Sequence, residues 1–296
     1  MNHPLLLAVT DHSVQAEHAI ERAAMLARQQ KHHLHLLHFG ESTGSPFTDP
    51  AARLAQRARQ LARRHALRVT ASPTSTPTLE GVIAQCGAAR LLVMAPQWQR
   101  HWKTFYKGSL TDQCLQGSPC PVLLVKHAPA GAYQRALVAV DLSPRSGPLV
   151  ESARPWVEGS QVELFHAIDT LEESKLRSAN VSWETQRVNR MSSRQRARER
   201  LIQLTSAFAQ DGTALAFDLA HGDAAYQTAV QQQATGAQLV VVGKQHRTPL
   251  ADFLTGSVAQ RVARWAQSDV LVVPLKQAHA QPVGAPGSWA PGRSVP

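Results

Sequence analysis

The chain has 296 residues, enough for two domains of about 150 residues, each with its own core. Its 31 Lys and Arg against 21 Asp and Glu give a formal net charge of +10, which admits an anionic partner without identifying one. Cys86, Cys114 and Cys120 have no C-x-x-C spacing, which argues against a zinc site and for reduced thiols in a cytosol. The apolar run Leu5 to Val9 is too short for a signal-peptide core or a membrane span, so a cytoplasmic location is expected.

Taken in order, that run is the first predicted strand, and Thr10-Asp11-His12-Ser13 after it carries residues able to cap a helix. Ala16, Ala19, Ile20, Ala23 and Ala27 then repeat at the spacing of one buried helical face. A strand over 34–39, an arginine-rich helix over 50–65, a strand over 67–71, a helix over 79–86 and a strand over 91–94 follow. A loop then leads to Gly108-Ser109, a helix and a strand over 122–125. After the Pro, Gly and Ala of residues 126–134, which suit an exposed linker, the same order returns. Its strands are placed at 136–140, 162–167, 215–220, 239–242 and 270–273, with helices near 188–210 and 225–233. Pro148 and Pro155 predict that the first helix of this second half is short or broken near Pro155. Residues 277–296, rich in Pro and Gly, are expected to be a disordered tail.

The stretch Gln238 to Val273 holds the most information. It reads as a Val-rich strand, a loop led by Gly243, the pair Gly256-Ser257 opening a helix, and a second Val-rich strand. Continuous Val runs suit parallel strands covered on both faces, and a helix between them suits a βαβ crossover. Gly256, Ser257 and Val258 would set backbone N–H groups, a hydroxyl and the positive end of a helix where a phosphate can sit; the plainer alternative is a helix cap. Residues 90–125 repeat the plan at equal spacing, with Ala95 in the place of Gly243 and Gly108 in the place of Gly256.

These features resemble universal stress protein domains: Asp-x-Ser after the first strand (Asp11, Asp141), LLHF and LFHA closing the second (His38, His166), the Gly243 loop running to Gly-Ser-Val, and the closing strands. The layout resembles the tandem members of Gram-negative bacteria. The resemblance implies an α/β fold of two tandem doubly wound domains, at 1–128 and 135–276 with a linker at 129–134. Each would be a five-stranded parallel sheet with helices on both faces, an adenine nucleotide alpha-hydrolase-like fold. It implies that the two domains pair within the chain, and that a ligand site lies at the carboxyl ends of the strands, where a topological switch point also places one.

The nucleotide-binding members share Gly, two residues, Gly, nine residues, then Gly-Ser or Gly-Thr. Gly243, Gly256 and Ser257 match it, and His246 replaces the second glycine. A histidine there either blocks close approach of a phosphate or reaches an anion itself, with Lys244 or Arg247 beside it. By the same resemblance Asp141 accepts a hydrogen bond from an adenine amino group and the main chain at Ala167 contacts the ring, so ATP is the implied ligand. The alternative for Asp141 is a helix cap. In the first half Ala95 and Trp98 replace both loop glycines, and Trp102, Phe105 and Tyr106 crowd the same loop, so that half is expected not to hold a nucleotide. The aromatic cluster would pack between domains or line an apolar pocket.

His32, His33, His35 and His38 do not converge as metal ligands, since strand alternation sets His33 and His35 against His38, and no metal is called for. The arginines of the two matching helices have few acidic residues nearby in sequence; they form either a solvated face or a surface for RNA or phospholipid, without sequence-specific nucleic-acid recognition. There is no G-x-S-x-G, P-loop or H-E-x-x-H. The expected function is therefore a stress-response binding or regulatory protein, not an enzyme beyond a weak incidental ATPase. The alternatives are a nucleotide-independent scaffold or chaperone-like protein, and an anion- or RNA-associating one.

Overall fold

The computed structural model describes residues 4–40, 49–76, 78–98, 109–169, 182–209, 215–245 and 257–275. His246, Arg247, Gly256, Gly108, Trp102, Phe105, Tyr106 and the 277–296 tail lie outside these residues. The first half runs β1 (Leu5–Thr10), α1 (Val14–Gln29), β2 (His33–His38), α2 (Pro50–His65), β3 (Val69–Ala71), α3 (Leu79–Cys86), β4 (Ala89–Met94), α4 (Leu110–Gly117) and β5 (Val122–Leu124). The second runs β6 (Tyr133–Ala139), α5 (Ser146–Ala153), β7 (Val157–Ile168), α6 (Trp183–Ala209), β8 (Ala216–His221), α7 (Ala224–Thr235), β9 (Leu239–Gln245), α8 (Val258–Trp265) and β10 (Asp269–Leu275).

All ten strands form one sheet, ordered β3-β2-β1-β4-β5-β10-β9-β6-β7-β8. Within each half the pairings are parallel, and the halves meet at one antiparallel pairing, Val270 against Leu124 through Val272 against Val122. Each half is thus doubly wound, with its switch point between β1 and β4 in one and between β6 and β9 in the other. Successive strand residues face opposite layers. Leu6, Ala8, Leu91 and Val93 belong to the layer that holds the buried faces of α1, α2, α5 and α6, while Leu7, Val9, Leu92 and Met94 belong to the layer of α3, α4, α7 and α8. This is why the strands read as unbroken apolar runs. The three cysteine thiols are unbridged and buried in the second of these layers.

Pro155 acts as expected. α5 stops at Ala153 and a 3-10 turn, Arg154–Trp156, leads into β7, so α5 is half the length of α1. Two readings are corrected. The linker is not simply exposed, because Tyr133 already belongs to β6 and is buried. The α2 arginines also have acidic partners that sequence proximity does not show. Arg57 bonds Glu17 at 2.8 Å and Glu21 at 3.3 Å, and Arg64 and His65 also reach Glu21, all across to α1.

Candidate functional site

At the carboxyl end of β1 and of β6 the chain makes the same turn. The Oδ1 of Asp11 accepts the Ser13 N–H at 2.9 Å, and the Oδ1 of Asp141 accepts the Ser143 N–H at 3.0 Å. The residue between them is left-handed in both, His12 at φ 63° and Leu142 at φ 58°. That conformation costs about 1–2 kcal/mol for a residue with a Cβ, so the turn is held by its surroundings in both halves. Asp141 is therefore not a helix cap. Arg145 precedes α5 without a side-chain cap, while Asp141 also accepts the Ser146 hydroxyl at 3.2 Å. Burial raises the Asp141 carboxyl, but the hydrogen bonds from Ser143 and Ser146 and the charge of Arg145 outweigh it and hold it below the ordinary range. It is an exposed, ionised carboxylate.

Beside it, His166 Nδ1 meets the Val140 carbonyl at 2.8 Å, and burial lowers the ring's basicity. Ala167, half-buried on β7, pairs with Ala220 of β8. On the other side of the switch point Gly243 lies inside β9 and not at the head of a loop, which corrects the predicted strand end. Its backbone is not left-handed. A Cβ there would stand 2.4 Å from Leu275 Cδ1 and 3.5 Å from Leu149 Cδ2. Gly243→Ala is expected to cost about 1–3 kcal/mol in urea unfolding through this overpacking. An unchanged midpoint would show that Leu275 swings aside.

Lys244 is also corrected. It is buried, and its Nζ donates to the Leu115 carbonyl of α4 at 2.8 Å, so it ties the halves together and does not wait for an anion.

Ser257 caps α8. Its Oγ accepts the Gln260 N–H at 3.3 Å, and Gln260 Oε1 accepts the Ser257 N–H at 3.0 Å. Val258 begins the helix and is exposed. The matching corner of the first half is built with a charge. Asp112 accepts the Ser109 N–H at 3.2 Å and the Ser109 hydroxyl at 2.6 Å, and Arg264 of α8 bonds Asp112 at 2.8 Å. The Arg264 guanidinium lies 4.4 Å over the Trp98 ring, so Trp98 packs at the junction of the halves. Gln97, unremarked in the sequence, donates its Nε2–H to Asp11 Oδ2 at 2.8 Å, and its backbone is fixed by Thr111 at 2.6 Å. Asp141 and Gly243 thus sit at one switch point, with Ala167 at the end of neighbouring β7 and Ser257 opening the helix that follows β9.

A sequence model of the universal stress protein family matches residues 1–85 and 132–274. The chain belongs to the universal stress protein family. Residues 86–131 lie outside the match and include the altered loop, yet β4, α4 and β5 form there all the same. Among solved structures, a universal stress protein from Archaeoglobus fulgidus DSM 4304 superposes with a TM-score of 0.68 at 15% identity, over 92% of this chain and 97% of that one. A functionally unknown protein from Pseudomonas aeruginosa PAO1 superposes with a TM-score of 0.63 at 21% identity, over 92% of this chain and 93% of that one. Both likenesses are of fold. No curated protein matches the sequence significantly.

In the first half His12 and His38 stack with ring centroids 4.7 Å apart, and His38 Nδ1 meets Ser75 Oγ at 2.8 Å. Burial pushes both rings below their ordinary value of 6.5. On His12 the charges of His38 and Arg53 add to the effect of burial against Glu17 and a backbone hydrogen bond at Pro50, and on His38 Asp11 favours the charge while Arg53 opposes it. The unfolded chain therefore binds more protons than the folded one below about pH 6.5, and stability falls as the pH drops from there through the folded values. The melting temperature is expected to decline between pH 7.5 and 5, and His12→Gln/His38→Gln should flatten that decline. An equal slope in the double variant would place the titration elsewhere. Among the described residues, no group of three or more His, Cys, Asp or Glu is arranged to hold a metal, and no helix is long and apolar enough to cross a membrane.

Proposed function

We propose that this universal stress protein binds an adenine nucleotide, ATP, in its second half only, and acts as a stress-response regulator whose state depends on that occupancy. Asp141 accepts the adenine amino group, the main chain at Ala167 lies against the ring, and Gly243, Gly256, Ser257 and Val258 form the phosphate end, with His246 at its rim. The observation that carries the asymmetry is the residue three places after each serine cap. Asp112 holds a carboxylate, taken up by its pair with Arg264, at the first helix start, whereas Gln260 puts a neutral amide at the second. In the first half the Gln97 amide also stands on Asp11 much as an adenine amino group would. The activity proposed is binding and not turnover.

Calorimetric titration of the nucleotide-free protein with ATP tests it. Wild type is expected to give a saturable heat at one site per chain, and Gly256→Trp none. Two equivalent sites, or unaltered binding in the variant, would refute the assignment.

A further inference from the structure

The cysteines take no part in the site described above, yet two of them stand together. Cys86 ends α3 and Cys120 precedes β5, and the fold brings them side by side in the layer of α3 and α4. Their thiols hydrogen-bond each other, and the Cys86 thiol also donates to the Val82 carbonyl at 3.3 Å. Cys114 of α4 lies in the same layer, and burial pushes its thiol up to about 12.

The two partners are set for different roles. Ser118 Oγ lies 3.5 Å from the Cys120 sulfur and accepts the Cys120 N–H at 3.3 Å. The Cys86 thiol, the Ser118 hydroxyl and the backbone N–H groups of Leu92 and Cys120 outweigh burial, stabilise a Cys120 thiolate and pull this thiol below its ordinary range. Cys86 moves the opposite way, because its proton is held by Cys120 and burial disfavours its charge. It therefore keeps its proton until Cys120 has reacted. Burial does not seal the pair. Cys120 follows exposed Pro119, and Cys86 is followed by exposed Gly87 and Ala88, so each adjoins a surface turn that a small oxidant can part.

We propose that Cys86 and Cys120 are an oxidant-sensing pair that a hydroperoxide converts to a disulfide within the chain, with Cys120 the attacking sulfur and Cys86 the resolving one. The Cys120 thiolate attacks a peroxide oxygen, the O–O bond breaks, and a Cys120 sulfenic acid and hydroxide form. The hydroxide takes the Cys86 proton and becomes water. Cys86 sulfur then attacks the sulfenic sulfur, the S–O bond breaks, and the second hydroxide takes up the proton that Cys120 first gave away. Two thiols lose two electrons and two protons, and one hydrogen peroxide becomes two waters. The bond straps the end of α3 to the approach of β5 and encloses α4, whose Asp112 and Leu115 hold Arg264 and Lys244 of the other half. Oxidation thus stiffens the first half where the two halves meet, independently of the nucleotide proposed for the second.

The test treats the full native chain with a few equivalents of hydrogen peroxide, blocks remaining thiols with N-ethylmaleimide under denaturing conditions, and maps the unreduced chymotryptic peptides. Chymotrypsin cuts after Leu115 and so separates Cys114 from Cys120. A Cys86–Cys120 linked peptide is expected in most chains, with Cys114 alkylated, and dithiothreitol should restore both thiols. The oxidised protein should melt roughly 5 °C higher, since the bond constrains the unfolded chain between positions 86 and 120. Cys86→Ser should give no link and leave a Cys120 sulfenic acid that dimedone traps, whereas Cys114→Ser should link as wild type does. The wild-type map stands whether or not the variants fold. Linkage through Cys114, disulfides between chains in place of one within the chain, or Cys120 still open to alkylation unless urea is present during oxidation would each overturn the proposal.

Discussion

Replacing Asp269 by alanine is expected to lower the thermal midpoint by about 10 °C, from a loss of about 3–5 kcal/mol when a buried charged partner is removed. Asp269 opens β10 at 4% exposure, where the two halves meet. It accepts the Lys126 N–H at 2.8 Å and the Tyr133 hydroxyl, and Arg22 Nε lies 3.6 Å away. Arg22 comes from α1, stacks 4.0 Å over the Tyr133 ring and donates to the Gly131 carbonyl at 2.6 Å. One carboxylate thus joins the first helix, the linker and the last strand. Without it Arg22 keeps a buried charge and the Lys126 N–H loses its acceptor. Burial and the Asp269 charge both push the Tyr133 hydroxyl well above its usual value, so it stays a neutral donor at any working pH.

Tyr133→Phe should cost less, about 1–3 kcal/mol, since it leaves the ion pair in place. Arg22→Met/Asp269→Asn, which removes both charges and keeps an acceptor for Lys126, should recover at least half of the alanine loss. Calorimetric melting of the four proteins checks the series. A loss under about 1 kcal/mol in Asp269→Ala would mean that the halves are held without this carboxylate, by the β5–β10 pairing, its apolar flanks and the Lys244 and Arg264 contacts.

Asp141→Ala is expected to weaken ATP binding by more than about tenfold, the value of a hydrogen bond to a charged group, whereas Asp11→Ala should leave it unchanged. The two residues occupy the same turn after the first strand of each half, so any effect through the turn alone would appear in folding for both. Because the Asp141 carboxyl is held below its usual range, it stays ionised well below neutral pH, and its contribution to affinity should be flat from pH 6 to 8. Equal losses from the two substitutions would place a nucleotide in both halves. No loss from either would remove Asp141 from the site.

Much of this architecture is legible in the sequence because its signals are local. The Val-rich strands, the equal strand-to-serine spacing, the Asp-x-Ser turns and the effect of Pro155 each depend on residues a few positions apart. What the sequence does not disclose is set by distant partners. Gln97 meets Asp11 across 86 positions, Lys244 meets Leu115 across 129, and Arg264 meets Asp112 across 152. The same limit made Lys244 look like an anion ligand and the α2 arginines look unpaired, since Glu17 and Glu21 stand one helix away. Gly243 shows the converse. A glycine read as loop freedom is a strand residue whose missing Cβ leaves room for the Leu275 side chain.

The most direct measurement is of what the protein already carries. The full chain is purified without added nucleotide, denatured, and the released small molecules are separated by chromatography and quantified against protein. A nucleotide-binding second half predicts ATP or ADP near one equivalent per chain, lost in Gly256→Trp and kept in Asp11→Ala. No released nucleotide, together with no heat on titration with ATP, would contradict the account and leave a scaffold that works without one.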